Sequence, residues 1–551
     1  MSKTKNHSKV ITIISALLIS SILLQAQPSK KIAPEKPKLI VGINISQLRN
    51  DFISKYWDNL SDNGIKRLVT RGTYCKNTKL NYPNTEHGVG ISTIVTGAVP
   101  AEHGIIAQNW YSPLKEKMIN CIKDESIKTI GGAYQNGQYS PHQLFCTTFS
   151  DEIKLANQFR SKVYSVSMIP ESAILSGGHT GNAAFWFDNQ NGTFITSNYY
   201  MDSLPAWVDT FNVKKLPDTY LEKTWEMLLP QEQYKTGIKD KSKYEKGIRK
   251  QNQFPYEIEK LAKKVNRKEI YEVLNYTPYG NNLTKDFAIQ VIANEELGKD
   301  DFTDVLLINF TATEYISSHY GILSFELEDM ILRLDRELEH FFKFIDSFVG
   351  IENTLIYLTA ENGIGYHPDY LQDNHIPSGT FSTNSSGLLL KSYLNNLYGK
   401  GDWIMDFSNG QIFLNTNLVA DSDIELSELQ QSIADFLIQF HGIKHTVTAS
   451  TLRETHFNNG VNYKIQNGYN KKRSGHVFYT LRDGWIEVNS KKEVLKSYDA
   501  TVPLLWYGWK IKRESILTPV YLDDIAPTVN ILLEVNPPNA ATGEPISEMF
   551  K

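Results

Sequence analysis

Residues 38–45 read KLIVGINI, a short run that is almost entirely apolar and largely β-branched. Such a run, with no alternation of polar and apolar positions, is expected of a strand buried on both faces. Working outward, the same signature recurs at 162–168 (KVYSVSM), 304–310 (DVLLINF), 354–360 (TLIYLTA) and 502–507 (VPLLWY). Helical patterns separate several of these runs. The clearest covers 326–348, where Leu327, Met330, Ile331, Leu334, Leu338, Phe341, Phe342, Ile345 and Phe348 recur at i, i+3, i+4 spacing. A further helix-like stretch covers 51–69. Buried strands alternating with core-facing helices predict an α/β fold of three layers around a mostly parallel central sheet.

Two stretches interrupt this alternation. Residues 190–283 are rich in Tyr, Asn, Lys and Trp, and residues 380–480 mix short strands with one helix near 427–440. Both are expected to be insertions that form a cap beside a single domain spanning 38–551. Within the first, residues 235–250 carry seven basic and two acidic side chains, which reads as a solvated loop.

Upstream of the first strand, Lys3, Lys5 and Lys9 precede an apolar run over 10–24 and the small-residue site Gln25-Ala26-Gln27. This is the pattern of a secretory signal peptide over residues 1–27, too short for a comfortable membrane span. A Pro/Lys linker, PSKKIAPEKP, follows at 28–37. The expected location is outside the cytoplasm, in the periplasm or at the outer membrane. The 551-residue chain has a formal charge of −4, and removing residues 1–27 takes away three lysines and no acid, leaving −7. That balance argues against nucleic-acid binding. Hydrophobic residues at 41% and charged residues at 21% exclude global disorder. Three cysteines, Cys75, Cys121 and Cys146, allow one bridge at most, so disulfides are not the scaffold.

Ligands in an open α/β sheet bind beyond the carboxyl ends of the strands. Those ends carry Ser46, Glu314 and the Glu361-Asn362 pair, with Thr501 just before the last strand. Alone, this set names no reaction.

Longer motifs do more. They include Thr96-Gly97-Ala98-Val99-Pro100 followed by His103-Gly104-Ile105, then Phe185-Trp186-Phe187-Asp188 and Thr277-Pro278-Tyr279-Gly280-Asn281. Leu332-Arg333-Leu334-Asp335-Arg336, Asn467-Gly468-Tyr469-Asn470, Lys472-Arg473-Ser474-Gly475 and Asp524-Ile525-Ala526-Pro527-Thr528 continue the set. On these motifs the chain resembles the alkaline phosphatase superfamily. The likeness runs to exported bacterial phosphatases of the PafA type and, beyond them, to nucleotide pyrophosphatase/phosphodiesterases. The resemblance implies an alkaline phosphatase-like sandwich with cap insertions.

It also implies where a two-zinc centre should lie, and there the chain departs from the pattern. The Asp ligand of the first strand falls on Ser46, and the Thr nucleophile falls on His87. The Asp-x-x-x-His pair falls on Glu314 and Ser318, the Asp-His pair on Glu361 and Asn362, and the last His on Thr501. The groups that clamp the phosphoryl oxygens fall on Gln108, Ile169 and Glu171. Neutral oxygens bind zinc poorly, and Glu171 sets a negative charge where the resemblance implies a cation.

The expectation drawn from these substitutions is a non-catalytic pseudophosphatase, with no catalytic residue and no metal. Its role would be binding or structural, alongside an unidentified protein partner of the cell envelope. The alternative is a phosphate-ester hydrolase with a remodelled metal site built from His87, Glu314, His319 and Glu361, and zinc as its cofactor. A third possibility is a carbohydrate or lipid-headgroup binder that uses the aromatic-rich cap. Two glutamates facing one cavity need a compensating cation, and His87 is the expected one. His103 and His179 are expected to be structural, and His367 and His375 to be solvated loop residues.

Overall fold

The computed structural model describes residues 34–133, 136–263, 267–488, 493–494 and 501–550. The signal-peptide reading at 1–27 and most of the linker at 28–37 lie outside these residues. Among the described residues, no helix is long and apolar enough to cross a membrane.

Ten elements position the site. In chain order they are β1 (Leu39–Ile45), α1 (His87–Thr96), β2 (Val163–Ser167), α2 (Pro170–Gly177), β3 (Ala183–Asp188), β4 (Asp304–Phe310), α3 (Ala312–Tyr320), α4 (Phe325–Phe348), β5 (Thr354–Thr359) and β6 (Thr501–Gly508). The five strands β5-β1-β4-β2-β3 are neighbours in that order and run parallel. They form the centre of a mixed sheet of eleven strands, and β6 pairs antiparallel with β5. Every residue of β1, β2, β4 and β5 is buried, which is why these runs are predominantly apolar. The fold is the expected mixed α/β architecture with a large central sheet.

The register aligns the strand ends. Asn44 pairs with Asn309 on one side and with Thr359 on the other. Asn309 pairs in turn with Ser167. The chain therefore leaves β1, β2, β4 and β5 along one edge, delivering Ser46, the start of α2, the start of α3 and Glu361 to the same place.

Helix α4 buries the predicted apolar stripe and is capped by Ser324, whose side chain accepts the Leu327 N–H. The helix-like stretch at 51–69 is broken instead. Helices Asn50–Lys55 and Ile65–Arg71 flank a short 3-10 turn at Trp57–Asn59. The cause is tertiary: the buried Asp335 carboxylate on α4 accepts the N–H groups of Ser61 (2.5 Å) and Ile65 (2.6 Å), starting a new helix at Ile65.

Residues 190–283 begin inside the sheet, where strand Thr193–Ser197 pairs antiparallel with β3. They then leave it for two helices and a two-stranded ribbon, Thr224–Trp225 with Tyr256–Glu257. Residues 380–480 build a separate four-stranded sheet backed by helices Thr383–Tyr398 and Leu426–Leu437. This unit has its own core of Leu390, Leu394, Trp403, Ile412, Ile433 and Leu437. Cys75, Cys121 and Cys146 are free and buried. Burial pushes the Cys75 and Cys146 thiols up to about 12, leaving them inert.

Candidate active site

Three side chains from three elements converge at the shared strand edge. His87 is the first residue of α1, Glu314 lies in the first turn of α3, and Glu361 follows β5. One ligand atom from each lies within 4.8 Å of the others. His87 Nδ1 is 2.8 Å from Glu361 Oε1 and 3.4 Å from Glu314 Oε2. Glu361 is fully buried, and its Oε2 accepts a 2.7 Å hydrogen bond from Asn44 Nδ2 at the end of β1. The cluster meets solvent through Glu314, whose side chain is 30% exposed.

Burial alone would lower the His87 pKa. The carboxylates of Glu361, Glu314 and Glu171 outweigh it and hold the imidazole up at about 9. At neutral pH His87 is thus the cation between two glutamates. A cation at a helix N-terminus is disfavoured by the helix dipole, so the carboxylates are also what makes this position tolerable.

A glycine makes the arrangement possible. A Cβ at Gly90, one turn along α1 from His87, would lie 2.5 Å from the Glu361 carbonyl oxygen and 2.7 Å from its Cβ. Only a residue without a side chain lets α1 approach this closely. Gly90→Ala is expected to push α1 away from Glu361 and cost about 1–3 kcal/mol, measured as a lower urea midpoint with an unchanged slope.

The other positions singled out in the sequence divide into two groups. Ser46 Oγ lies 3.4 Å from His87 Nδ1, at the margin of the cluster. Gln108 and Glu171 also meet here: Gln108 Nε2 donates to Glu171 Oε1 at 2.8 Å, and the Gln108 N–H donates to Glu86 Oε2 at 2.6 Å. Ile169 caps α2 without a polar contribution. Asn362 turns away, with Nδ2 donating to the Thr85 carbonyl at 2.5 Å, and Ser318 Oγ donates to the Glu314 carbonyl at 2.5 Å. Thr501 lines a cleft of about 970 Å³ together with Arg49, Trp57 and Tyr74.

His319 does not join the cluster. One residue past Ser318 on a helix rotates the side chain by about 100°. Its Nδ1 donates to the Tyr315 carbonyl at 3.0 Å and its ring packs edge-on against Tyr276. His103 is fully buried. Its Nδ1 accepts the Ile105 N–H, its Nε2 meets Thr93 Oγ1, and burial holds its pKa down at about 3.

One participant has no sequence signature. Ser172, on the first turn of α2, places its Oγ in hydrogen-bond contact with His87 Nε2. It lies 85 residues from His87 in the chain and is the residue after Glu171. The packing of α1 against α2 brings them together.

The centre does not fit two metal ions. Ser46, Ser318, Asn362 and Thr501 offer neutral oxygens where zinc wants imidazole or carboxylate, and Ser318 and Asn362 are already turned to backbone carbonyls. One imidazole and two carboxylates within 4.8 Å match a single divalent ion in type and number, but both His87 ring nitrogens are engaged, Nδ1 by Glu361 and Nε2 by Ser172, which leaves no free imidazole ligand in this arrangement.

Comparison with known proteins supplies the context. The family model described as type I phosphodiesterase / nucleotide pyrophosphatase matches residues 40–502. The chain is 34% identical to alkaline phosphatase PhoV of Synechococcus elongatus, over 98% of this chain and 100% of that protein. It is 35% identical to alkaline phosphatase PafA of Elizabethkingia meningoseptica, over 97% of this chain and 98% of that one. The crystal structure of wild-type alkaline phosphatase PafA superposes with a TM-score of 0.88, covering 94% of this chain and 99% of that one at 34% identity.

These matches overturn the expectation of a non-catalytic pseudophosphatase. These two relatives, at this identity and near-full coverage, are named as alkaline phosphatases, and the family model is one of phosphodiesterases. The physical reason the expectation failed lies in the cluster itself. Reading the substituted positions one by one treats each as a loss, whereas three of them assemble into a compact ionisable centre.

Proposed function

The chain belongs to the type I phosphodiesterase / nucleotide pyrophosphatase family, and from that premise we propose that it is an exported phosphate-ester hydrolase with a remodelled centre. The observation that carries the reading is the convergence of His87, Glu314 and Glu361 at the strand edge where the family resemblance puts the chemistry. Both ring nitrogens of His87 are engaged, Nδ1 by Glu361 and Nε2 by Ser172, so no step is routed through a metal ion and the reading rests on the chain's own groups. Asn44 fixes the Glu361 carboxylate, and Glu361 orients the imidazole so that Nε2 faces the neighbouring hydroxyl. Export is supported by the basic start and apolar run at the N-terminus.

The charges around the centre favour one substrate class. Glu171 and Glu86, linked through Gln108, stand beside the glutamates of the cluster. A phosphate monoester carries close to two negative charges and a diester one. At 4 Å each additional like-charge contact costs from about 1 kcal/mol in water to about 4 kcal/mol at an effective dielectric near 20. The reading is therefore a phosphodiesterase rather than a monoesterase. Turnover of an aryl phosphodiester above that of the matching aryl phosphate, lost in His87→Gln, is the expected result. No turnover of either ester in the mature protein, with or without added divalent ions, would sink the reading. Glu171→Gln removes one of the repelling charges. It is expected to raise kcat/KM for the monoester about tenfold while changing the diester less.

A further inference from the structure

We propose that Ser172 is the nucleophile of this centre, activated by His87 and oriented through Glu361. The inference deepens the hydrolase reading and rests on it. In the family pattern the nucleophilic Thr falls on His87, so the position holds an imidazole in place of a hydroxyl. The structure supplies a hydroxyl from another element. Ser172 Oγ contacts His87 Nε2, while the opposite ring nitrogen, Nδ1, sits 2.8 Å from Glu361 Oε1. Glu361 is anchored in turn by Asn44 at 2.7 Å. Hydroxyl, imidazole and carboxylate thus form a continuous relay across both ring nitrogens, the arrangement that activates a serine on unrelated folds.

Three further features fit the role. The Ser172 backbone is anchored, its carbonyl accepting from Asn309 Nδ2 at 3.4 Å while the same amide donates to Ser176 Oγ at 3.1 Å. Ser172 stands at a strand-to-helix turn, after β2 and on the first turn of α2. Amide N–H groups on a first turn have no partner inside their helix and can donate to a phosphoryl oxygen. Glu171, the residue before Ser172 on the first turn of α2, falls on a phosphate-clamp position of the family pattern, so Ser172 lies where the phosphoryl group is expected.

The chemistry balances without a co-reactant. Ser172 Oγ forms a bond to phosphorus as the bond from phosphorus to the leaving oxygen breaks. The hydroxyl proton passes to His87 Nε2 and from there to the leaving alkoxide. A water then attacks the phosphoseryl phosphorus and gives its proton to Nε2. The bond from Ser172 Oγ to phosphorus breaks, and that proton returns to Ser172.

The test is a fluorophosphonate, which reports the nucleophile without requiring turnover. The phosphorus bonds to the serine oxygen, fluoride leaves, and the hydroxyl proton passes to the base. The mature full-length protein is incubated with the reagent, digested and mapped by mass spectrometry. The expected result is a stoichiometric adduct on the peptide bearing Ser172, absent in Ser172→Ala and slowed at least a hundredfold in His87→Gln. Ser172 is buried, and the opening at Glu314 is the route the reagent must use. No adduct on Ser172 in the wild-type protein, or labelling indifferent to His87→Gln, overturns the proposal. Turnover separates it from the reading beneath it. Ester hydrolysis that persists in Ser172→Ala removes the nucleophile and leaves the hydrolase, whereas labelling at Ser172 without hydrolysis of any phosphate ester keeps the nucleophile and removes the hydrolase.

Discussion

Glu361→Gln is expected to lower kcat/KM for an aryl phosphodiester about a thousandfold while leaving the protein folded. The carboxylate does two jobs. It accepts from Asn44 through one oxygen and pairs with His87 Nδ1 through the other, so it fixes both the position and the charge of the imidazole. A glutamine preserves the shape but lacks the charge, and can present its NH2 to Nδ1, reversing the hydrogen-bond sense across the ring. Loss of an oriented base costs on the order of a hundred- to ten-thousandfold.

The pH profile carries a second signature. Neighbouring carboxylates hold His87 up at about 9, so the neutral, proton-accepting form grows in as pH rises toward 9. Wild-type kcat/KM should therefore rise through that range. Removing the Glu361 charge lowers the His87 pKa, and the residual activity of Glu361→Gln should level off at a lower pH. A profile unmoved by the substitution would mean that Glu361 does not set the imidazole's charge. Stability should fall by about 1–3 kcal/mol, since Glu361 is fully buried and its hydrogen-bond partners are disturbed.

The second large effect lies in the first insertion. Glu326, in the first turn of α4, is fully buried and accepts the Tyr256 hydroxyl at 2.5 Å through Oε1. Glu245 is buried nearby and accepts the Ser242 N–H at 3.0 Å through Oε2. Glu326 Oε2 and Glu245 Oε1 are buried without a hydrogen-bond partner. Burial pushes Glu245 up to about 8, helped by the charge of Glu326. Burial likewise pushes Glu326 up to about 7, helped by Asp240 and Asp329.

Both folded values lie above the 4.5 of an unperturbed glutamate, so the folded chain holds protons that the unfolded chain has released. The stability tied to these protons is complete below about pH 4.5 and is lost as pH rises through 7 to 8. Glu326→Gln removes one of the two buried charges. It should stabilise the protein at pH 9 by about 2 kcal/mol relative to wild type and have little effect near pH 5. Urea unfolding at the two pH values measures the difference, and equal effects at both would refute the assignment. The same segment is tied to α3, the helix that carries Glu314, because the Lys246 and Gly247 N–H groups donate to the His319 carbonyl at 2.8 and 3.2 Å. Hydrogen exchange at 242–251 should accordingly quicken at alkaline pH in the wild-type protein and less so in Glu326→Gln.

Much of this molecule was legible before folding was considered. A strand buried on both faces is predominantly apolar along its length, so the runs at 38–45, 162–168, 304–310 and 354–360 declared the central sheet. The stripe from Leu327 to Phe348 declared its longest helix. Position relative to the strand ends also singled out Glu314 and Glu361. The break in the helix at 51–69 was hidden, because the group that dictates it, Asp335, is some 270 residues away.

The character of the site was decided only in three dimensions. Linear reading scores each substituted position against what it replaced, and on that scale His87, Glu314 and Glu361 are three losses. Hydrogen bonds and Coulomb interactions depend on distance in space, and the parallel register together with the packing of α1 against α2 makes these three residues neighbours with Asn44 and Ser172 around them. Sequence determined the sheet and the edge where chemistry belongs. The tertiary structure decided that a histidine at the nucleophile position has a hydroxyl on one side and a carboxylate on the other, because that depends on chain segments whose separation in sequence says nothing about their separation in the fold.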